Sequence, residues 1–76
     1  MISELDTVVL TKDFPKHGLK AGDVGAVVMV YRDSEGYEVE FTTLKGQTMS
    51  VVTVKPDAIR SVEDTDRLHA RTAAVA

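Results

Sequence analysis

Glu38 and Glu40 are the residues whose type and spacing come closest to a chemical site. Alternate side chains of a β-strand point to the same face, so two glutamates separated by one residue are expected on one side of a sheet. There they are close enough to share a cation or to act as paired carboxylates. The sequence names no third ligand and no partner that would activate water, so we interpret the pair as a solvated strand face. We predict no metal site and no cofactor.

The two histidines form no catalytic pattern. His17 stands in a long polar loop, and His69 stands close to the C-terminal end. A triad needs a base within reach of a nucleophile such as Ser50, together with a third group that orients the base, and spacing alone indicates neither. The glycines of the segment Gly22–Gly25 lack the third glycine and the lysine–serine pair of a phosphate-binding loop. We therefore expect no enzyme.

A small set of aromatic and proline residues is the best candidate for a binding surface. The chain has two phenylalanines, two tyrosines and no tryptophan. Phe14-Pro15 in the first loop, with Tyr31 and Tyr37 at the ends of the hairpin strands, could form an aromatic and proline-lined groove of the kind that receives proline-rich peptides. Packing is the alternative for Phe14 and Tyr37, since aromatic side chains chiefly supply buried area. We predict that a protein partner contacts Phe14, Pro15, His17, Tyr31 and Arg32.

Charge and composition limit the classes of partner. Twelve acidic and nine basic side chains give a net charge of −3, which provides no general attraction to nucleic acid or anionic lipid. The longest apolar run, VGAVVMVY, is far shorter than the ~20 residues of a membrane span. Acidic Glu4 and Asp6 stand where a secretory leader would carry positive charge, and cysteine is absent. We expect a cytoplasmic protein with no membrane contact.

The elements that must position these residues are strands. Each of five segments is rich in valine, threonine or aromatic residues and is bounded by turn residues, which is typical of an all-β fold. Val8 and Leu10 of the first segment are expected on one face. The second is apolar at nearly every position, so it is expected to be central, with both faces at least partly covered. The predicted strands are Thr7–Thr11, Val24–Tyr31, Tyr37–Thr42, Thr48–Val54 and Ile59–Val62.

Turn residues connect these strands. The segment Arg32–Gly36 has the length and chemistry of a hairpin loop that closes on a residue with positive φ, and Lys45-Gly46 supplies the next turn. Pro56 favours a single 3₁₀ turn before the last strand. We assign residues 1–62 to a five-stranded SH3-like barrel, in which closure removes exposed edges. Residues 63–76 are expected to form a flexible tail, disordered or a short helix capped by Thr65.

A glycine-rich turn into the second strand carries a family resemblance. The residues concerned are Gly18, Leu19, Lys20, Gly22, Asp23, Gly25, Val27 and Val30, and they resemble the short motif of KOW modules and other SH3-like barrels. Together with LDTVVLTKDFPKHGL, YEVEF and VVTVKPDAIR, the segment 4–62 resembles the bacterial family known as domain of unknown function 4926. That resemblance implies an SH3-like barrel and no established activity or site residues.

Two function classes follow from these observations. The first is a non-enzymatic module that binds another protein. A more specific form of it is an antitoxin-like or immunity-like protein that binds a basic protein encoded by a neighbouring gene. The second is a KOW-like nucleic-acid-binding module, which requires a basic face. The lysines that would form that face are Lys12, Lys16, Lys20, Lys45 and Lys55. A homodimer is also expected, because Val27, Met29 and Val51 cannot all point into one small barrel.

Overall fold

Five antiparallel strands form a single sheet in the computed structural model, which describes residues 2–72. The strands are β1 (Thr7–Leu10), β2 (Val24–Val30), β3 (Tyr37–Thr42), β4 (Thr48–Val54) and β5 (Ile59–Ser61). Three 3₁₀ turns accompany them at Pro15–His17, Arg32–Ser34 and Pro56–Ala58. The prediction of an all-β, five-stranded fold with a 3₁₀ turn before the last strand is therefore confirmed, and the other two turns were not predicted.

The strand order in the sheet is β4-β3-β2-β1-β5, with β2 at the centre as predicted. Strands β4 and β5 are the two edges and do not pair with each other, so the barrel is open. Side chains of both edge strands nevertheless belong to one buried cluster. Because one sheet supplies almost all of that cluster, the sheet must curve around its own inner face.

The core consists of the inward side chains of every strand together with Leu19 and Ala58. Val8 and Leu10 point inward from β1, as their spacing predicts. In β3 the alternation is complete, with Tyr37, Val39 and Phe41 buried. The cluster comprises Val8, Leu10, Leu19, Val27, Tyr37, Val39, Phe41, Val52, Val54, Ala58 and Ile59.

A bulge in β2 explains the unbroken apolar run of that strand. Val27 pairs with Val39 and Met29 pairs with Glu38, so Val28 is an extra residue without a partner in β3. The extra residue changes which positions face inward. The outer face of β2 is only partly covered, with Val24 at 53% and Met29 at 44% exposure.

The turn into β2 depends on two glycines. Gly22 has φ +95°, a conformation that favours glycine. Asp23 Oδ2 accepts a hydrogen bond of 2.8 Å from the Lys20 N–H. A Cβ at Gly25 would lie only 2.6 Å from Val39 Cγ1. Gly25 is therefore required because β3 packs closely against it.

The hairpin between β2 and β3 closes differently from the simplest expectation. The two residues with positive φ are Asp33 (+59°) and Ser34 (+55°), while the loop glycine, Gly36, is not among them. Asparagine, aspartate and serine tolerate this region because their short polar side chains bond locally. Gly46, with φ +90°, forms the β3–β4 turn as predicted.

The segment after β5 has no helix or strand through residue 72, and the end of the helix considered from sequence lies outside the described residues. Two ionic contacts tie this segment to the sheet. Arg60 donates two hydrogen bonds, of 2.8 and 2.9 Å, to the Asp66 carboxylate. Arg71 donates to Asp23 Oδ1 at 3.0 Å and to the Gly18 carbonyl at 2.8 Å. The tail therefore returns to the turn before β2.

Candidate functional site

The outer edge of the sheet at β4 is the first feature of the site. This strand contains seven residues, none of them charged and none of them proline. It pairs with β3 on one side and lies at the end of the strand order on the other. An edge strand presents a row of unpaired N–H and C=O groups, which natural proteins usually protect with charges, proline or a short strand. No such protection lies within β4.

The outer face beside this edge combines apolar and acidic side chains. Met49 and Val51 of β4 are 44% and 51% exposed. Val51 lies opposite Glu40, and Thr53 lies opposite Glu38. The predicted outward orientation of both glutamates is confirmed, because their neighbours in β3 are buried. The exposed Val51 of the edge strand thus adjoins a row of two carboxylates on the next strand.

Hydroxyl groups fix the carboxylate of Glu38. Glu38 Oε1 accepts hydrogen bonds from Thr53 Oγ1 and, at 2.8 Å, from the Tyr31 hydroxyl. These bonds stabilise the ionised carboxylate and lower the pKa of Glu38. The same contact raises the pKa of Tyr31, because the hydroxyl donates to an anion. Glu40 accepts a hydrogen bond of 2.6 Å from Thr48 Oγ1.

No cation neutralises either glutamate within residues 2–72. The ion pairs of that part of the chain are Lys12–Asp57, Arg60–Asp66 and Arg71–Asp23. In the same residues, three or more histidine, cysteine, aspartate or glutamate side chains nowhere come together in a way that would hold a metal ion. The outer face of β3 therefore carries uncompensated negative charge whose side chains are held in place by hydroxyls.

Three of the residues predicted from sequence lie in the β1–β2 loop. Phe14 and Leu19 exchange backbone hydrogen bonds of 2.8 and 3.1 Å. The Phe14 side chain is half-buried and packs against the core, which is the alternative role that the sequence left open. Pro15 and His17 are exposed in the 3₁₀ turn between them.

Tyr31 and Arg32 lie at the other end of β2. The strand between the two groups has seven residues, which corresponds to ~20 Å of extended chain. Tyr31 is 38% exposed, and its hydroxyl belongs to the Glu38 cluster. The predicted contact residues thus fall into two groups, one of which adjoins the outer face of β3 and β4.

The lysines of the nucleic-acid alternative are dispersed. Lys12 forms an ion pair of 2.8 Å with Asp57. Lys45 precedes β4 and Lys55 follows it, so the length of that strand separates them. This arrangement does not favour a single basic face.

The unprotected edge of β4 was not predicted from the sequence. The signal was present, because seven consecutive uncharged residues with high β propensity are unusual beside open solvent. The sequence did not reveal that β4 lies at the border of the sheet, because strand order depends on contacts between distant segments. The expectation that closure would remove exposed edges concealed the same feature.

The chain is an all-β protein built on one open, five-stranded antiparallel sheet. Strand β4 forms an edge of that sheet and contains neither charge nor proline. The chain belongs to the family described as domain of unknown function (DUF4926), which matches residues 4–61. The predicted membership of residues 4–62 in this family is thereby confirmed. Comparisons with curated proteins and with solved structures give no match. In residues 2–72 no helix has the length and apolar character needed to cross a membrane.

Proposed function

We propose that this protein is a non-enzymatic binding module that recognises an extended segment of another protein as an added strand along β4. The observation that carries the proposal is the seven-residue edge without charge or proline. Strand addition uses main-chain hydrogen bonds for affinity and side-chain contacts for specificity. Val51 offers apolar contact on the outer face, where it lies opposite Glu40.

The charge next to the edge supports a basic partner. Glu38 and Glu40 lie one strand inward from β4 and have no cation partner within residues 2–72. An added strand lies two strand spacings from β3, about 9.6 Å, and a lysine or arginine side chain that crosses β4 spans this distance together with the glutamate side chain. Electrostatic complementarity of this kind increases the association rate and selects the partner. A basic cytoplasmic protein encoded beside this chain, as in antitoxin or immunity systems, has the required chemistry.

The test compares two lysine substitutions at valines of similar exposure. Val51→Lys introduces a positive charge on β4, where it pairs with Glu40 and repels a basic segment. Val62→Lys places the same charge beyond β5, on the opposite edge. Val51 is 51% exposed and Val62 is 46% exposed, so neither change disturbs the core.

We expect affinity capture from the native host to retain a protein on the wild-type chain and on V62K but not on V51K. Hydrogen exchange of the purified complex should then show protection of β4 amides. If no protein distinguishes V51K from V62K, or if the protected amides lie outside β4, the proposal is wrong.

A further inference from the structure

A cavity of about 420 Å³ lies between the tail and the end of the sheet. Its floor comes from the turn into β2, from β3 and from the start of β4. Phe41 and Leu19 are buried beneath it, whereas Leu44 is 82% exposed beside it. The apolar residues of this floor and wall are Leu19, Val24, Phe41, Leu44 and Met49. This volume falls within the range of small-molecule sites, about 300–1,000 Å³.

The opposite wall is formed by the tail and is basic. Arg67, His69 and Arg71 line the cavity from this side, and Asp23 is the acidic residue of the lining. Arg71 is already committed to Asp23 and to the Gly18 carbonyl. Arg67 forms no ion pair with any residue from 2 to 72. The cavity therefore combines an apolar floor with the guanidinium of Arg67, which has no ion-pair partner among residues 2–72.

We propose that this cavity binds a small amphipathic carboxylate, with its apolar body on the floor and its carboxylate against Arg67. A guanidinium presents paired donors that match the two oxygens of a carboxylate. A phosphate ester brings nearly two negative charges, which one arginine beside Asp23 does not balance. The inference does not rest on the proposed strand addition, because the backbone edge of β4 plays no part in it.

The tether of the tail is what gives the cavity its second wall. Arg71 contacts Asp23, which is 48 positions earlier in the chain, and Gly18, which is 53 positions earlier. These contacts hold the segment that carries Arg67 over the floor. Burial of an apolar body and a charge-assisted hydrogen bond would then act together on one ligand.

The test uses phenylbutyrate and its uncharged analogue phenylbutanol as probes, followed in ¹H–¹⁵N spectra of the full chain. We expect phenylbutyrate to shift the amides of Leu19, Val24 and Leu44, and phenylbutanol to bind more weakly. Arg67→Gln should weaken phenylbutyrate binding by about tenfold, the effect of losing one charge-assisted hydrogen bond, and leave phenylbutanol binding unchanged. Arg32→Gln, at an exposed arginine of the β2–β3 hairpin, should change neither.

The proposal is overturned by any of three results. One is the absence of shifts at the cavity residues, and another is equal affinity for the acid and the alcohol. The third is an affinity for phenylbutyrate that R67Q and R32Q change alike. Failure here leaves strand addition intact, because the V51K comparison tests the outer face at Val51, which does not line the cavity.

Discussion

At the scale of single residues, the carboxylate of Glu38 is held by two hydroxyls rather than by a cation. Thr53 and Tyr31 both donate to it and thereby favour its ionised form. An anion anchored in this way keeps its charge available to a partner. The sequence predicted the strand face of Glu38 from alternation alone, but not these donors, because Tyr31 and Thr53 come from two other segments of the chain.

Thr53→Val should raise the pKa of Glu38, because the hydroxyl that contributes most to lowering it is removed. The side-chain carboxyl chemical shift of Glu38, followed through an acid titration by NMR, measures the change. Thr48→Val is the matched control, since Thr48 donates to Glu40 instead, and it should leave the midpoint of Glu38 where it was. An unchanged midpoint in T53V would show that Thr53 does not stabilise the anion.

Gly25→Ala should destabilise the fold by about 1–3 kcal/mol, the usual cost of overpacking. Its Cβ would lie 2.6 Å from Val39 Cγ1 and 2.9 Å from the Glu40 carbonyl oxygen, so a backbone or core atom must move. Gly36→Ala is the control, because the nearest atoms there are 3.4 Å away. Urea unfolding compares the two, and equal losses of stability would contradict the close approach of β3 to Gly25.

At the scale of elements, local patterns predicted the strands well and their arrangement less well. Alternation placed β3 correctly, because its side chains separate cleanly into buried and solvent-facing sets. The bulges at Val28 and Met49 escaped prediction, since an extra residue is defined by the partner strand and not by the strand itself. The ends of β1, β2 and β5 fall one residue earlier than predicted.

The Arg60–Asp66 contact in the turn that begins the tail should persist until the pH falls to about 2. The pKa of Asp66 is lowered to about 2, first by the Arg60 guanidinium and then by the Glu63 N–H. The pKa of an unfolded aspartate is about 3.9, so folding lowers the pKa of Asp66. The stabilisation is therefore complete above that unfolded value and is lost as the pH falls through about 2.

Carboxyl chemical shifts of Asp66 measure this midpoint. Arg60→Gln removes the paired hydrogen bonds from the guanidinium to Asp66. It should therefore raise the titration midpoint of Asp66 toward the unfolded value. Arg67→Gln changes the adjacent tail residue and should leave the Asp66 midpoint at about 2. A wild-type midpoint close to that of R60Q would mean that the Arg60–Asp66 contact does not persist in solution.

At the scale of the whole molecule, the open barrel has two edges of unequal length. Strand β5 has three residues, whereas β4 has seven. The tail returns over the end of the sheet through Arg71 and shares a cavity with Met49 at the start of β4. No strand from residues 2–72 pairs with the outer edge of β4. The sequence predicts that Val27, Met29 and Val51 cannot all enter the core; Val27 is buried, and Met29 and Val51 are exposed. Which surface they form depended on the strand order, which no local pattern encodes.

The homodimer predicted from sequence has a specific geometry at this edge. Two antiparallel copies of β4 related by a two-fold axis at Val51 place Val51 opposite itself and Met49 opposite Thr53. No charged side chain of β4 opposes this pairing. Each copy has a net charge of −3 and carries Glu40 one strand inward, so like charges repel across the contact.

Self-association should therefore be weak and should increase with salt. Between about 0.1 M and about 1 M salt the screening length falls from about 10 Å to about 3 Å, which removes most of the repulsion. Sedimentation equilibrium should show the average mass rising above 8.3 kDa in the wild type and in V62K, but not in V51K. A monomer at every salt concentration would make the dimer prediction wrong. Binding of a basic partner has the opposite salt dependence, so the sign of the salt effect separates the two uses of β4.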